Sequence, residues 1–263
     1  MTLNQLRTHL HSISQDLAEC LVVLNYLDSN SLGTLSEILF VELLKQKGLD
    51  DCKHTGASQS LTDFTVEDFH ISLKTTDSKK PVGLGSDQKA IDTHRIEIVN
   101  KELTFLGLEN SNLLTNLKRQ LSVEAYRIIE DRYRAVVDKL TGSDDRHILV
   151  WVEKVLKDSQ INTIRIHTIN FCPFDLEDTY RTGYLYKTKT TWGFREASGT
   201  ILTQADRSGK LLNITPQYLR TKSDCPTTVE IPSKRFPNIQ KTVSQSIITN
   251  LKQTYKTHIL HED

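Results

Sequence analysis

The apolar residues of this chain keep two different periods, and the places where one gives way to the other constrain the fold more than any other feature. In residues 4–28, Leu6, Leu10, Ile13, Leu17, Leu21 and Leu24 recur at intervals of three and four, which predicts an amphipathic helix. Asp28-Ser-Asn-Ser-Leu-Gly33 breaks that pattern. A second helix, TLSEILFVELLKQKG, is expected to end at Gly48, which follows Lys45 and Lys47 as a normal C-terminal stop. Its apolar positions lie nearly all round, so it should be buried.

The period then drops to two. In SLTDFTVEDFHISLKTT (60–76), Phe64 and Val66 alternate with polar residues, Glu67-Asp68 can turn the chain, and Phe69, Ile71 and Leu73 alternate with His70, Ser72 and Lys74. This predicts a hairpin with one wet or functional face. TTDSKKPVGLGS reads as a Gly/Pro/Ser-rich loop, with Ser86 placed to cap a helix beginning DQKAIDTHRIEIV. A further helix reads SVEAYRIIEDRYRAVVDKL, ended by Thr141-Gly142. Alternation returns in HILVWVEK and NTIRIHTINF, and beyond FCPFD the chain is rich in Tyr, Thr, Lys and Arg. The order of helices, hairpin, helices and strands predicts an α/β (α+β) protein: a mixed central sheet flanked by helices, with a β-rich C-terminal lobe. At 263 residues a substantial core is possible. The expected division is residues 1–172 as the core with its N-terminal helices and 173–263 as the β-rich DNA-recognition lobe, two closely interdigitated lobes, with one continuous domain as the alternative.

Charge is neutral in total but polarised along the chain. Residues 1–70 carry four Lys and Arg against ten Asp and Glu, and residues 179–263 carry thirteen against six. A local stripe of cations is enough to engage a polyanion, so a net charge of zero leaves nucleic acid open as a partner. The first residues lack the basic-then-apolar layout of a signal peptide, and every apolar run is interrupted well before membrane-spanning length. Cys20, Cys52, Cys172 and Cys225 are far apart with no CxxC pair, which argues against a zinc ribbon or a disulfide framework and fits a reducing cytoplasm. Cys52 and His54 lie close together without further ligands, so zinc is not expected there. Motifs for ATP binding, dinucleotide binding, serine hydrolases and zinc proteases are missing from the sequence.

The hairpin aims Asp63 and Lys74 at the same end, with Ser72 and Lys74 on one face. By itself such a pair is most often a surface ion pair of small energetic consequence. Glu37 adds weight: with Val41 and Leu44 at i+4 and i+7, its carboxylate emerges from an apolar stripe, where a partner such as a metal or a lysine is expected. A backbone amide or a lysine would satisfy it equally well.

A GxxxE helix (Gly33 to Glu37) followed by D…(D/E)xK on a hairpin and then a helix resembles the PD-(D/E)xK nuclease superfamily, in particular type II restriction endonucleases. The resemblance covers about residues 30–100 and a later strand at 147–154. It implies Glu37 as the helix acid, Asp63 as the principal metal ligand, Leu73 as a main-chain carbonyl ligand and Lys74 as the catalytic lysine. Thr62 stands where proline is frequent, and Ser72 stands at the second acidic position, where a hydroxyl is a poor ligand for Mg²⁺. The resemblance therefore implies that Asp87, on the next helix, or Glu37 supplies the missing acid, with Ser72 a hydrogen-bonding neighbour. What it implies as a whole is a Mg²⁺-dependent, sequence-specific double-stranded DNA endonuclease working as a homodimer. DNA contacts are expected from Lys79, Lys80, Arg165, His167, Lys187, Lys189, Thr190 and Arg195, although an ordinary solvated strand would look the same. The alternatives are an inactive DNA-binding protein on the same fold, or a repair or RNA nuclease.

Overall fold

The computed structural model describes residues 1–27, 32–55, 62–86, 93–107, 110–142, 146–157, 160–187, 192–205, 211–224 and 226–230. The chain begins with helices α1 (Leu3–Leu27) and α2 (Leu32–Gln46), then strands β1 (Cys52–His54), β2 (Phe64–Val66), β3 (Phe69–Asp77) and β4 (Val82–Ser86). Next come α3 (Thr93–Phe105), β5 (Asn110–Leu113), α4 (Leu114–Leu117), α5 (Val123–Thr141), β6 (His147–Lys157) and β7 (Gln160–Ile169). It continues with α6 (Pro173–Thr182), β8 (Tyr184–Lys187), β9 (Trp192–Arg195), β10 (Ile201–Ala205), β11 (Leu211–Ile214), α7 (Pro216–Lys222) and β12 (Thr227–Glu230). The α+β class, with a mixed six-stranded sheet and a β-rich C-terminal part, is as the sequence predicts. Among the described residues no helix is long and apolar enough to cross a membrane.

Contacts group the chain into two units that interleave along the sequence: residues 1–78, 148–168 and 224–263, and residues 79–147 and 169–223.

The first unit holds the sheet β1-β2-β3-β6-β7-β12. The pairs β1/β2, β2/β3 and β7/β12 are antiparallel. Contacts between β3 and β6 step up together, Thr76 with Trp151 and Ser78 with Lys154, which is the sense of a parallel pair. Period two sends Phe64, Val66, Ile71, Leu73, Val150, Val152, Ile164 and Ile166 to one face, and there they bury against Leu6, Leu10, Ile13 and Leu17 of α1 and Leu39, Phe40 and Leu43 of α2. Burying each of these large side chains contributes about 1.5–3 kcal/mol relative to exposure. Gly48 ends the helical region with φ of 87°, a conformation that costs glycine little.

The second unit holds the sheet β4-β11-β10-β9-β8-β5, in which every pair is antiparallel. Here the structure corrects the sequence reading in three places. The stretch 75–86 is not a loop: Thr75–Asp77 extend β3, and Val82–Ser86 is β4, paired with β11. Ser86 ends that strand; residues 87–92 lie outside those described, and the next helix is described from Thr93. Pro173–Thr182 is a helix where only β-rich chain was expected, with Pro173 at its first turn, where a missing N–H does no harm. The helix α5 appears as predicted, capped by the Ser122 hydroxyl accepting from the Ala125 amide.

Four of the eight tyrosines, all in this second unit, have phenol pKa values raised chiefly by burial: Tyr186 to about 12, and Tyr133, Tyr180 and Tyr218 also upward. A folded pKa above the unfolded value of about 10 means the folded form keeps its proton where the unfolded chain loses it. Stability from these groups is therefore full below pH ~10 and falls as pH climbs toward their folded values. A spectrophotometric titration should show these four phenols ionising only together with unfolding; their free titration near pH 10 in the native protein would contradict the packing.

Candidate active site

The site begins with the turn between β2 and β3. Glu67 takes φ of 48°, and the short turn fixes the register at Phe64 opposite Ile71 and Val66 opposite Phe69. The ladder runs one residue further, with the Asp63 amide donating to the Ile71 carbonyl at 2.8 Å. Asp63 is thereby held at the open end of the hairpin, where three donors converge on its Oδ2. The Leu73 amide donates at 2.6 Å, the Lys74 ammonium at 3.0 Å and the Ser72 hydroxyl at 3.5 Å. Hydrogen bonds to an ionised carboxylate are about twice as strong as neutral ones, so the arrangement is firmly set. In a strand a residue's own N–H and C=O project to the same edge, so the Leu73 carbonyl opens on the edge that Asp63 occupies. Ser72 and Leu73 are buried, while Asp63 and Lys74 keep 19% and 24% of their side-chain surface. The pair is therefore reachable from solvent yet only partly screened by it.

The neighbouring strand grips Asp63 from the other side. The Thr55 amide donates to the Asp63 carbonyl at 3.1 Å, and the Thr55 hydroxyl donates to the Thr62 carbonyl. Next to Thr55, His54 pairs with Phe64 across the ladder. Helix α2 lies over this corner, its Phe40 ring 6.0 Å from that of Phe64. One turn before Phe40, Glu37 bonds through Oε2 to His54 Nε2 at 3.1 Å, the two side chains being 19% and 12% exposed.

As ligands for a cation, the Asp63 carboxylate and the Leu73 carbonyl are hard oxygen donors of the kind Mg²⁺ selects. Among the described residues no three His, Cys, Asp or Glu side chains gather closely enough to hold a metal by themselves. A second acid would come from Glu37, now on His54, or from Asp87, which lies outside the described residues.

The other expected residues are spread over both units. Arg165 and His167 both turn to Glu153 on β6: His167 Nε2 is 2.9 Å from its Oε2 and Arg165 Nη1 3.5 Å from its Oε1. His167 and Glu153 are buried, and the imidazole stacks on Trp151 at 4.5 Å. In the second unit Lys79 and Lys80 are exposed, Lys187 bonds the Thr104 hydroxyl, and the Arg195 guanidinium lies 5.9 Å from the Tyr186 ring centroid. Lys189 and Thr190 fall outside the described residues.

Three features of the first unit escaped the sequence reading: the Glu37–His54 bond, the Trp151 indole donating to Thr76 at 2.9 Å, and the buried Glu153. For Glu153 a signal existed, since period two puts it on the face opposite Val150 and Val152 together with Trp151. Comparison of the chain with family models, with curated proteins and with solved structures finds no match.

Proposed function

We propose that this chain is a Mg²⁺-dependent endonuclease that hydrolyses phosphodiester bonds in double-stranded DNA at specific sequences, in the manner of a type II restriction enzyme of the PD-(D/E)xK kind. The observation that carries the reading is the convergence of the Leu73 amide, the Lys74 ammonium and the Ser72 hydroxyl on one oxygen of Asp63 at the open end of a hairpin. Asp63, the Leu73 carbonyl and an acid from Glu37 or Asp87 would hold the cation. Bound there, Mg²⁺ supplies Lewis-acid polarisation of the phosphate and makes a water more acidic. Lys74, whose ammonium lies 3.0 Å from Asp63 Oδ2, would orient the attacking water and offset charge on the pentacovalent phosphate. Ser72 keeps the Asp63 carboxylate turned toward Leu73.

Lys79, Lys80, Lys187, Lys189, Thr190 and Arg195 are the proposed phosphate and base contacts, and Arg165 adds a partly exposed cation beside Glu153. His167, being buried, would act through Glu153 rather than by touching DNA. Cutting both strands calls for two sites, which a homodimer in the cytoplasm would provide. RNA or a damaged duplex would be separated from this substrate by cleavage preference alone.

A second reading is favoured by Ser72, which occupies the position of an acid and is buried against Asp63: a DNA-binding protein that keeps the architecture without cleavage. Incubating a long duplex of varied sequence with the protein, in Mg²⁺ or in EDTA, separates the two. Discrete fragments that need Mg²⁺ and vanish in Asp63→Ala are the expected result. A salt-dependent gel shift without cleavage would hand the case to the second reading.

A further inference from the structure

We infer that His54 is a positioning residue of the cation site: it sets the carboxylate of Glu37 so that one oxygen is occupied by the imidazole and the other is directed to the cation beside Asp63. The inference rests on the proposed nuclease reading and extends it to a residue on a third strand.

Three observations tie His54 to the elements that carry both acids. Its Nε2 bonds Glu37 Oε2 at 3.1 Å in a corner where both side chains are largely shielded from water, so the bond is not diluted by solvent exchange. Its backbone is tied to the site, because it faces Phe64 across the ladder while the next residue, Thr55, donates to the Asp63 carbonyl. The helix that carries Glu37 is seated on the same hairpin by the contact between Phe40 and Phe64. The strand that holds the main chain of Asp63 thus also holds the side chain of Glu37, and β1 sets the two acids relative to one another.

The physical need for such a group is clear. A glutamate side chain has three rotatable bonds, and fixing it at a cation costs rotamer freedom unless something else has already fixed it. An imidazole bonded to one oxygen supplies that restraint and leaves the second carboxylate oxygen able to bind a hard cation. Removing a hydrogen-bonding partner of this kind typically weakens metal binding by about 10–100-fold.

The test is calorimetric titration of Mn²⁺ and Mg²⁺ into the purified full chain and into His54→Ala, His54→Gln and Glu37→Gln. Glutamine can present its Nε2 amide near the position of the imidazole Nε2, so it separates loss of the bond from loss of the ring. We expect His54→Ala to bind the cation about tenfold more weakly, His54→Gln to stay within about threefold of the parent, and the His54→Ala, Glu37→Gln double variant to be no weaker than Glu37→Gln alone. Circular dichroism confirms that each variant is folded. Should Glu37→Gln weaken binding while His54→Ala binds as the parent does, the positioning role is wrong and the nuclease reading stands. A parent chain that binds neither cation and cleaves no duplex would remove the nuclease reading itself, and this inference with it.

Discussion

Under the proposed nuclease reading, replacing Lys74 by methionine is expected to slow single-turnover cleavage of duplex DNA by about 10³-fold, which is about 4 kcal/mol of transition-state stabilisation. Methionine keeps most of the length of the side chain and removes only the ammonium, so packing at the edge of β3 should survive. The size of the loss follows from what the ammonium does. Donors aimed at charge that develops in the transition state contribute about 10²–10³-fold, and proton transfer about 10²–10⁴-fold. An arginine at this position keeps the charge but spreads it over a planar fork, and should recover little of the activity.

Cation affinity provides the control that makes this prediction sharp. In the resting site Lys74 lies 3.0 Å from the Asp63 oxygen that the cation would need. The ammonium therefore competes with Mg²⁺ for that oxygen, and Lys74→Met should bind Mg²⁺ at least as tightly as the parent while cutting far more slowly. Duplex affinity in EDTA, read by gel shift, should change by less than about tenfold, because one phosphate contact among several is lost. Cleavage at the parental rate would reduce Lys74 to an ion-pair partner of Asp63. A loss of activity together with a loss of Mg²⁺ binding would assign it a structural role instead.

Why the hairpin could be read from sequence while its surroundings could not is a matter of where the information lies. Phe64, Val66, Phe69, Ile71 and Leu73 alternate, and their turn follows within the same dozen residues, so local pattern alone sets the register that brings Asp63 to Leu73. By contrast, Val82-Gly-Leu-Gly-Ser86 looks like a loop because two glycines and a serine are poor strand formers. It becomes β4 by pairing with Leu211–Ile214, far along the chain. Asn110-Ser-Asn-Leu113 is a strand for the same reason, through pairing with β8. The acid on α2 was legible from its apolar neighbours, but its partner was not: His54 and Glu37 meet because the helix folds back on β1, and no spacing rule links positions seventeen apart. Glu153 shows the opposite limit. Alternation correctly puts it on the face away from the helical core, yet a face that reads as polar is here buried.

That buried face carries the second large effect. His167→Leu is expected to destabilise the protein by about 3–5 kcal/mol, because it takes from the fully buried Glu153 carboxylate the imidazole that sits 2.9 Å from its Oε2. Arg165, at 3.5 Å and with 39% of its side chain exposed, is a weaker contact than the 2.9 Å bond from the buried imidazole. Loss of the imidazole also removes the stacked partner of Trp151. In a chain of this size the change corresponds to a fall in Tm on the order of 10 °C. The penalty belongs to the buried carboxylate that has lost a hydrogen bond, so Glu153→Met added to His167→Leu should return most of the stability, as replacing both members of a buried polar pair by apolar groups often does. Thermal and urea unfolding of the two single variants and the double variant measure the coupling directly. If His167→Leu costs less than about 1 kcal/mol, or if the double variant is as unstable as the sum of the singles, Glu153 is satisfied by other groups and the pair is not what holds β6 to β7 on this face. Under the proposed nuclease reading the outcome also bears on cleavage: Trp151, stacked on His167, donates to Thr76, and Thr76 lies two residues beyond Lys74 on the same face of β3. A variant that loosens β6 against β7 thus loosens the strand that aims the ammonium, and at a temperature where it is still folded His167→Leu should lower the cleavage rate with little change in duplex binding.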